Sequence, residues 1–449
     1  MKPNLQSLVL ALLAINATAA QAQQRPPVRK IGAVSAKTAE TFTNVSGVRS
    51  LSDGSVLVND VPNRRVLLFN PQLSTFTVVA DSTSATDNAY GGRTGSLVAY
   101  RGDSSIFIDP ASVSMLVIDP AGKVARVMAI PRADDAMILG SGLGNPVFDG
   151  SGRLIYRAGA GFGMRSVGAG GNVRITQGPP GGAAGGRPPA MAPPEIPDSA
   201  FVVSVDLATR KVDTLGYIRT PKTKFEINHD ANGGMRMQSM INPLPVVDDW
   251  SVLPDGSIAF VRGKDYHIDW VTRDGARTSS SKIPFNWQRL TEEDKVEFLD
   301  SLKAARARLG PNAPVPGAPG SAPGAQAAQV MVFSQTMGGG GGGAQPAPTR
   351  TMTRTEPSYV AASELPDYKP AFFAGSTIAD NEGNLWVRTI PTEAIAGGPV
   401  YDVINRKGEL VERVQIPENR TVVAFGSGGA VYMLNREGAT ATLEKASIR

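Results

Sequence analysis

The chain has 449 residues, a formal net charge of +5 at pH 7, 49 glycines, 34 prolines and no cysteine. So small and thinly spread a charge leaves no footprint for nucleic acid and no acidic tail. Without cysteine there are no disulfides, thiolate metal centres or cysteine nucleophiles, so stability has to come from a sizeable apolar core.

The first element in chain order is a leader. Lys2, the apolar run Leu8–Ile15 and the small-x-small end Ala20-Gln21-Ala22 predict a secretory signal peptide over residues 1–22. The run is far shorter than the ~20 apolar residues that span a bilayer. No later segment is longer, and no cysteine follows the leader to carry a lipid anchor. The expectation is an exported chain, periplasmic or extracellular, with no transmembrane segment and a single domain over residues 23–449.

After a lone strand at Lys30–Val34, the sequence reads as six units of short strands and tight turns. The first covers residues 45–79 and turns at Asp53-Gly54; the second covers 97–130 and turns at Gly102-Asp103. The third opens at Pro146, turns at Gly150–Gly152 and resumes at Phe201 after an insertion over 158–200. The fourth runs from Asp249 to Ile283, the fifth from Thr377 to Ile416 with a turn at Asn381-Glu382-Gly383, and the sixth starts at Arg420. Gly54, Gly102, Gly152, Gly256, Gly383 and Gly428 mark the first turn of each unit, where positive φ is needed. Once insertions are set aside they recur about every 45–50 residues.

The strands are apolar on consecutive residues, as in Leu385-Trp386-Val387, which fits sheets covered on both faces. Four-stranded units of this length cannot bury themselves alone. They predict an all-β fold, a six-bladed β-propeller. The sixth unit is one strand short, and Lys30–Val34 is expected to supply it and close the ring.

These units, and Leu253-Pro-Asp-Gly-Ser-Ile-Ala-Phe260 above all, resemble the six-bladed propeller superfamily of NHL-repeat, TolB-like and gluconolactonase-type proteins. The resemblance covers nearly all of residues 23–449 apart from the insertions and implies the fold. It implies no activity, because such blades host hydrolases, lyases, receptors and scaffolds alike. No catalytic motif of the family is matched residue by residue.

The first and third turns of each unit are tight and share one face, so every long segment falls on the other: 80–95, 158–200, 219–247, 286–371 and 389–398. Ligands of propellers usually meet the chain there, above the central channel. Two stretches, 159–194 and 310–348, are rich in Gly, Pro and Ala and are expected to be disordered. Within the largest insertion, Thr291-Glu-Glu-Asp294 gives an N-cap with acidic residues in the first turn. Val296, Leu299, Leu302 and Leu309 follow at helical spacing, so a helix is predicted over 291–309. It is expected to lie over the long-loop face as a partial lid, or to meet a partner.

Three blades end their second strand in arginine on that face: Arg157, Arg262 and Arg388. Gathered around the rim, they would need counter-charges such as Asp248 and Asp249, or an anionic ligand held by guanidinium forks. His229, in Asn228-His229-Asp230, has the setting of a general base; His267 reads as packed between blades. Asn145, Asp248, Asp249 and Asn419 begin inner strands, and their oxygens would ring the channel mouth if a calcium ion were bound. There is no zinc spacing, no G-x-S-x-G elbow and no phosphate loop, and no cofactor is predicted. The leading expectation is an exported binding or interaction module for a small anionic or peptide ligand, or for an envelope partner. The alternative is a calcium-dependent hydrolase of the lactonase type that uses the channel mouth.

Overall fold

The computed structural model describes residues 25–92, 94–159, 164–166, 173–175, 197–222, 224–229, 235–309, 333–335, 358–393 and 396–448. Its blades start from a repeated local device, in which an aspartate side chain closes the first turn onto an amide two residues on. Asp53 accepts from Ser55 N at 2.8 Å, Asp149 from Ser151 N at 2.9 Å, Asp255 from Ser257 N at 2.9 Å and Asp380 from Glu382 N at 3.0 Å. The glycine in each of these turns has φ between 84° and 88° (Gly54, Gly152, Gly256 and Gly383), a region that side chains with a Cβ rarely enter.

Six antiparallel sheets follow in order. Blade one is Val45–Ser50, Val56–Asp60, Arg65–Phe69 and Phe76–Ala80. Blade two is Ser96–Ala99, Ser105–Asp109, Ser114–Ile118 and Val124–Ala129. Blade three is Val147–Phe148, Leu154–Arg157, Ser199–Val205 and Val212–Arg219, and blade four is Asp249–Val252, Ile258–Arg262, His267–Val271 and Arg277–Ser279. Blade five is Phe372–Ala379, Leu385–Thr389, Val400–Ile404 and Leu410–Gln415. Blade six is Arg420–Gly426, Ala430–Glu437 and Thr440–Ser447, completed from the N-terminal side by Val34–Lys37. The chain is a six-bladed β-propeller.

The N-terminal strand is placed differently from the expectation over Lys30–Val34. Lys30 ends the strand Val28–Lys30, which pairs in parallel with Leu410–Gln415 as a fifth strand of blade five. Val34 begins the strand that closes blade six. The chain steps between the blades at Ile31 and Gly32, whose amides donate to Gln415 O (3.1 Å) and Ser447 O (3.0 Å) respectively. A Cβ on Gly32 would stand 2.7 Å from Ser447 O, so the crossing needs a glycine.

One apolar cluster fills each blade-to-blade boundary, six around the ring. Ring closure, for example, buries Phe42, Val58 and Phe69 against Tyr432 and Leu443. The Trp386 and Phe425 rings pack tilted, centroids 5.0 Å apart, across the boundary between blades five and six. Fully burying a large apolar side chain gains about 1.5–3 kcal/mol, which is how a chain without disulfides holds a ring together.

The helix forms as Glu292–Leu309. Its capping box is reciprocal: Thr291 N donates to Asp294 at 2.8 Å and Asp294 N donates to Thr291 Oγ1 at 3.2 Å. Leu299 packs on Val360 and Leu365, whereas Val296 is exposed. A small sheet of Lys224–His229, Met235–Ile241, Phe333–Gln335 and Ser358–Tyr359 accompanies it. Phe333–Gln335 is therefore a strand inside the stretch expected to be disordered. Apart from these residues, 310–348 lies outside the described residues, as do the leader (1–22) and most of 159–194. Among the described residues no helix is long and apolar enough to cross a membrane.

Candidate functional site: the axial cavity

Residues 45–50, 96–99, 146–147, 249–252, 373–379 and 422–425, one stretch from the inner edge of each blade, line a cavity of about 500 Å³. That lies within the range of small-molecule sites, about 300–1,000 Å³. Its charged wall residues are Arg49, Arg157, Arg219, Asp248 and Asp249, and Leu97, Val147, Ile218, Trp250 and Phe373 give much of it an apolar surface.

Arg157 ends the second strand of blade three, and its amide donates to Gly144 O at 2.7 Å. Its side chain lines the cavity. Among the described residues it has no ion pair, and its buried Nε has no hydrogen-bond partner. Burial pushes its pKa down, and the negative charge of Asp249 works the other way.

Asp249 opens the inner strand of blade four and is 5% exposed. Its carboxylate accepts from Thr377 N at 2.8 Å. Burial pushes its pKa up to about 6 against the opposing hydrogen bonds from Thr377 and from the Gly375 and Trp250 amides. Half-ionised near pH 6 and facing an arginine with no other partner, it makes the net charge of the wall depend on pH.

Of the three rim arginines, Arg157 alone lines the cavity. Arg262 is taken up in a network: it donates to Asp269 at 2.7 Å, to Asp248 at 2.9 Å and to Tyr217 O at 2.8 Å. It is not among the residues lining the cavity. Nor is Arg388, which stands opposite Tyr401 in the sheet register and opposes the rise that burial causes in the Tyr401 pKa. Asp248 is the counter-charge of Arg262, and its other oxygen accepts from Gly263 N at 3.0 Å.

Of the four oxygen donors expected at the channel mouth, Asn145, Asp248 and Asp249 line the cavity and Asn419 does not. Both asparagines adopt left-handed backbone, with φ of 46° and 61°, a conformation that asparagine tolerates better than most residues. A calcium ion takes about 6–8 oxygens. Both oxygens of Asp248 and one of Asp249 already accept from protein donors. Among the described residues no three His, Cys, Asp or Glu side chains converge as metal ligands.

His229 ends the strand Lys224–His229, and its side chain lies outside the described residues, as does Asp230. His267 is partly buried on the third strand of blade four, with Nδ1 2.6 Å from Asp265 and Nε2 3.3 Å from Asp269. The helix Glu292–Leu309 contributes no residue to the cavity lining, so it is not a wall of this site.

Arg49 and Arg219 are additions that the strand-end pattern did not reveal. Arg49 hydrogen-bonds the carbonyls of Ser50 and Gly102, and burial pushes its pKa down. Its signal was available, since a charge in the inner strand Val45–Ser50 faces either the channel or a neighbouring blade. Arg219 reaches the mouth from the outer end of blade three, a position that only the closed ring reveals.

No family model and no curated protein matches the chain. Among solved structures, a gluconolactonase from Xanthomonas campestris is 10% identical with a TM-score of 0.35, covering 94% of this chain and 97% of its own. A calcium-binding regucalcin from Agrobacterium tumefaciens is 11% identical with a TM-score of 0.39, covering 94% and 98%. Virginiamycin B lyase from Staphylococcus aureus is 11% identical with a TM-score of 0.33, covering 90% and 95%. The likeness is loose, and no residue role passes from those proteins to this chain.

Proposed function

We propose that the chain is a binding protein that takes a small organic anion into the axial cavity, with the carboxylate or phosphate head at Arg157 and an apolar body along Leu97, Ile218 and Trp250. The single observation behind this reading is the Arg157 guanidinium, which lines the cavity with no ion pair among the described residues. A partly desolvated guanidinium gains most from an oxyanion, and hydrogen bonds to charged groups contribute about 1.5–3 kcal/mol each. Arg49 and Arg219 add positive charge to the wall, while Asp248 is neutralised by Arg262. If the leader over residues 1–22 is cleaved, binding takes place after export.

The test is calorimetric titration with a series of aliphatic and aromatic carboxylates and their phosphate analogues. Arg157→Gln should weaken binding at least about tenfold, the equivalent of one charged hydrogen bond. Arg157→Lys should fall between, because it keeps the charge and loses the fork. Equal affinity in all three proteins refutes the reading. A calcium-dependent hydrolase would instead show lactone turnover that a chelator abolishes, and the engaged carboxylates of Asp248 and Asp249 give that reading no support.

A further inference from the structure

A second cavity, about 240 Å³, lies away from the axis against blade five. Arg25, Phe285, Thr392, Glu393, Val400 and Arg413 contribute to its wall. Arg413 lies on the fourth strand of blade five, opposite Asp402 in the register. Its Nε is 3.4 Å from Asp402 Oδ1, yet neither atom has a hydrogen-bond partner. The other Asp402 oxygen accepts from Tyr266 Oη at 3.2 Å, and both residues are fully buried.

Arg25 reaches the same cavity from the N-terminal segment that precedes Val28–Lys30. Its guanidinium carbon is 5.9 Å from the centroid of the Phe285 ring. Among the described residues it has no acceptor, and its buried Nε is without a partner. Glu393 already accepts from Asn286 Nδ2 at 2.6 Å. Two guanidinium groups, with five N–H donors each, thus border one cavity, where the acidic groups facing them are Asp402 beside Arg413 and Glu393 in the wall. Burial pushes the Arg25 pKa down and the charge of Arg413 pushes it further, while Asp402, Glu393 and Tyr266 work the other way; an anion between the two arginines would add to that opposition. Buried polar groups left without partners call for water or an ion, and water supplies acceptors but no charge.

We propose that this cavity is a second anion site, separate from the axial one, in which the oxygens of a small carboxylate or phosphate bridge Arg25 and Arg413. The axial cavity has an apolar surface for a ligand body, whereas this one has room for little more than the oxyanion itself.

The experiment is calorimetric titration of the full chain with inorganic phosphate and, separately, acetate, in wild type, Arg25→Gln, Arg413→Lys and Arg157→Gln. Arg25 makes no ion pair, so its replacement should leave the fold intact, as near-ultraviolet circular dichroism will show. Arg413→Lys keeps a cation beside Asp402 and serves as the second variant. The expected result is a binding event that weakens at least tenfold in Arg25→Gln and in Arg413→Lys but persists in Arg157→Gln. The arm with the tighter binding identifies the headgroup. Binding that disappears in Arg157→Gln and survives in Arg25→Gln, or no binding of either ion by wild type at tens of millimolar, overturns the proposal. Failure of the axial reading leaves this result untouched, because the two sites are removed by different variants.

Discussion

Asp249→Asn is the most informative single change in the axial cavity. The buried carboxylate has its pKa raised from 3.8 to about 6, with burial the largest cause. Native Asp249 therefore holds its proton over a pH range in which the unfolded chain has lost it. Stability through this group is greatest below pH 3.8, falls as pH rises toward 6 and is flat above. At about 1.36 kcal/mol per pKa unit, the full penalty at pH 7.5 is ~3 kcal/mol, and linkage reduces it to ~1 kcal/mol at pH 4.5. Asparagine cannot ionise, and its amide oxygen still accepts from Thr377 N. The variant should be more stable than wild type by up to ~3 kcal/mol at pH 7.5, less about 1 kcal/mol for the weaker acceptor, with the advantage fading at pH 4.5. Urea denaturation at a series of pH values measures this. A variant less stable than wild type at pH 7.5, with an unchanged pH slope, refutes the reasoning. Because Asp249 is the charge that offsets Arg157, the same variant should also bind the axial anion more tightly at pH 7.5, and wild-type affinity should rise as pH falls through 6.

Two further changes test the framework around the site. Arg262→Met leaves Asp248 and Asp269 without their shared cation, and breaking this partly buried network should cost about 1–3 kcal/mol in urea denaturation; adding Asp248→Asn should recover part of the loss. Thr291→Ala removes half of the capping box and should cost about 1 kcal/mol. It should be read as faster amide exchange at the start of the helix Glu292–Leu309, with the blades unchanged.

The fold was legible because its signals are local. A positive-φ glycine in a turn and an apolar run of consecutive residues can each be read within a few positions, and six repetitions leave little choice of architecture. The closing strand was misplaced by a few residues because its boundary is set by a non-local contact, the close approach of Gly32 to Ser447 O. The rim arginines show the same division. Arg157 and Arg262 end a second strand and Arg388 stands one residue before the end of one, but their fates depend on the strand that pairs with them. Arg262 stands opposite His267, and Asp269 is two residues along the same strand, within reach on the diagonal. That pairing spans a short loop and could have been read from the sequence. Arg157 stands opposite Val202, across an insertion that hides the register, and the facing strand brings it no carboxylate.

The contrast with the other arginines is what separates a site from a scaffold here. Arg65 pairs with Asp60 and Glu40, Arg153 with Asp149, Arg420 with Glu444 and Arg406 with Asp255, each holding a turn or neighbouring strands together. In these arrangements a carboxylate offsets the cost of desolvating the guanidinium. A fold that pairs its arginines so regularly had the means to place a carboxylate within 4 Å of Arg157 or Arg25. Both instead border cavities and have no ion pair among the described residues. On the readings proposed above, an anion entering either cavity would offset the cost of desolvating these cations.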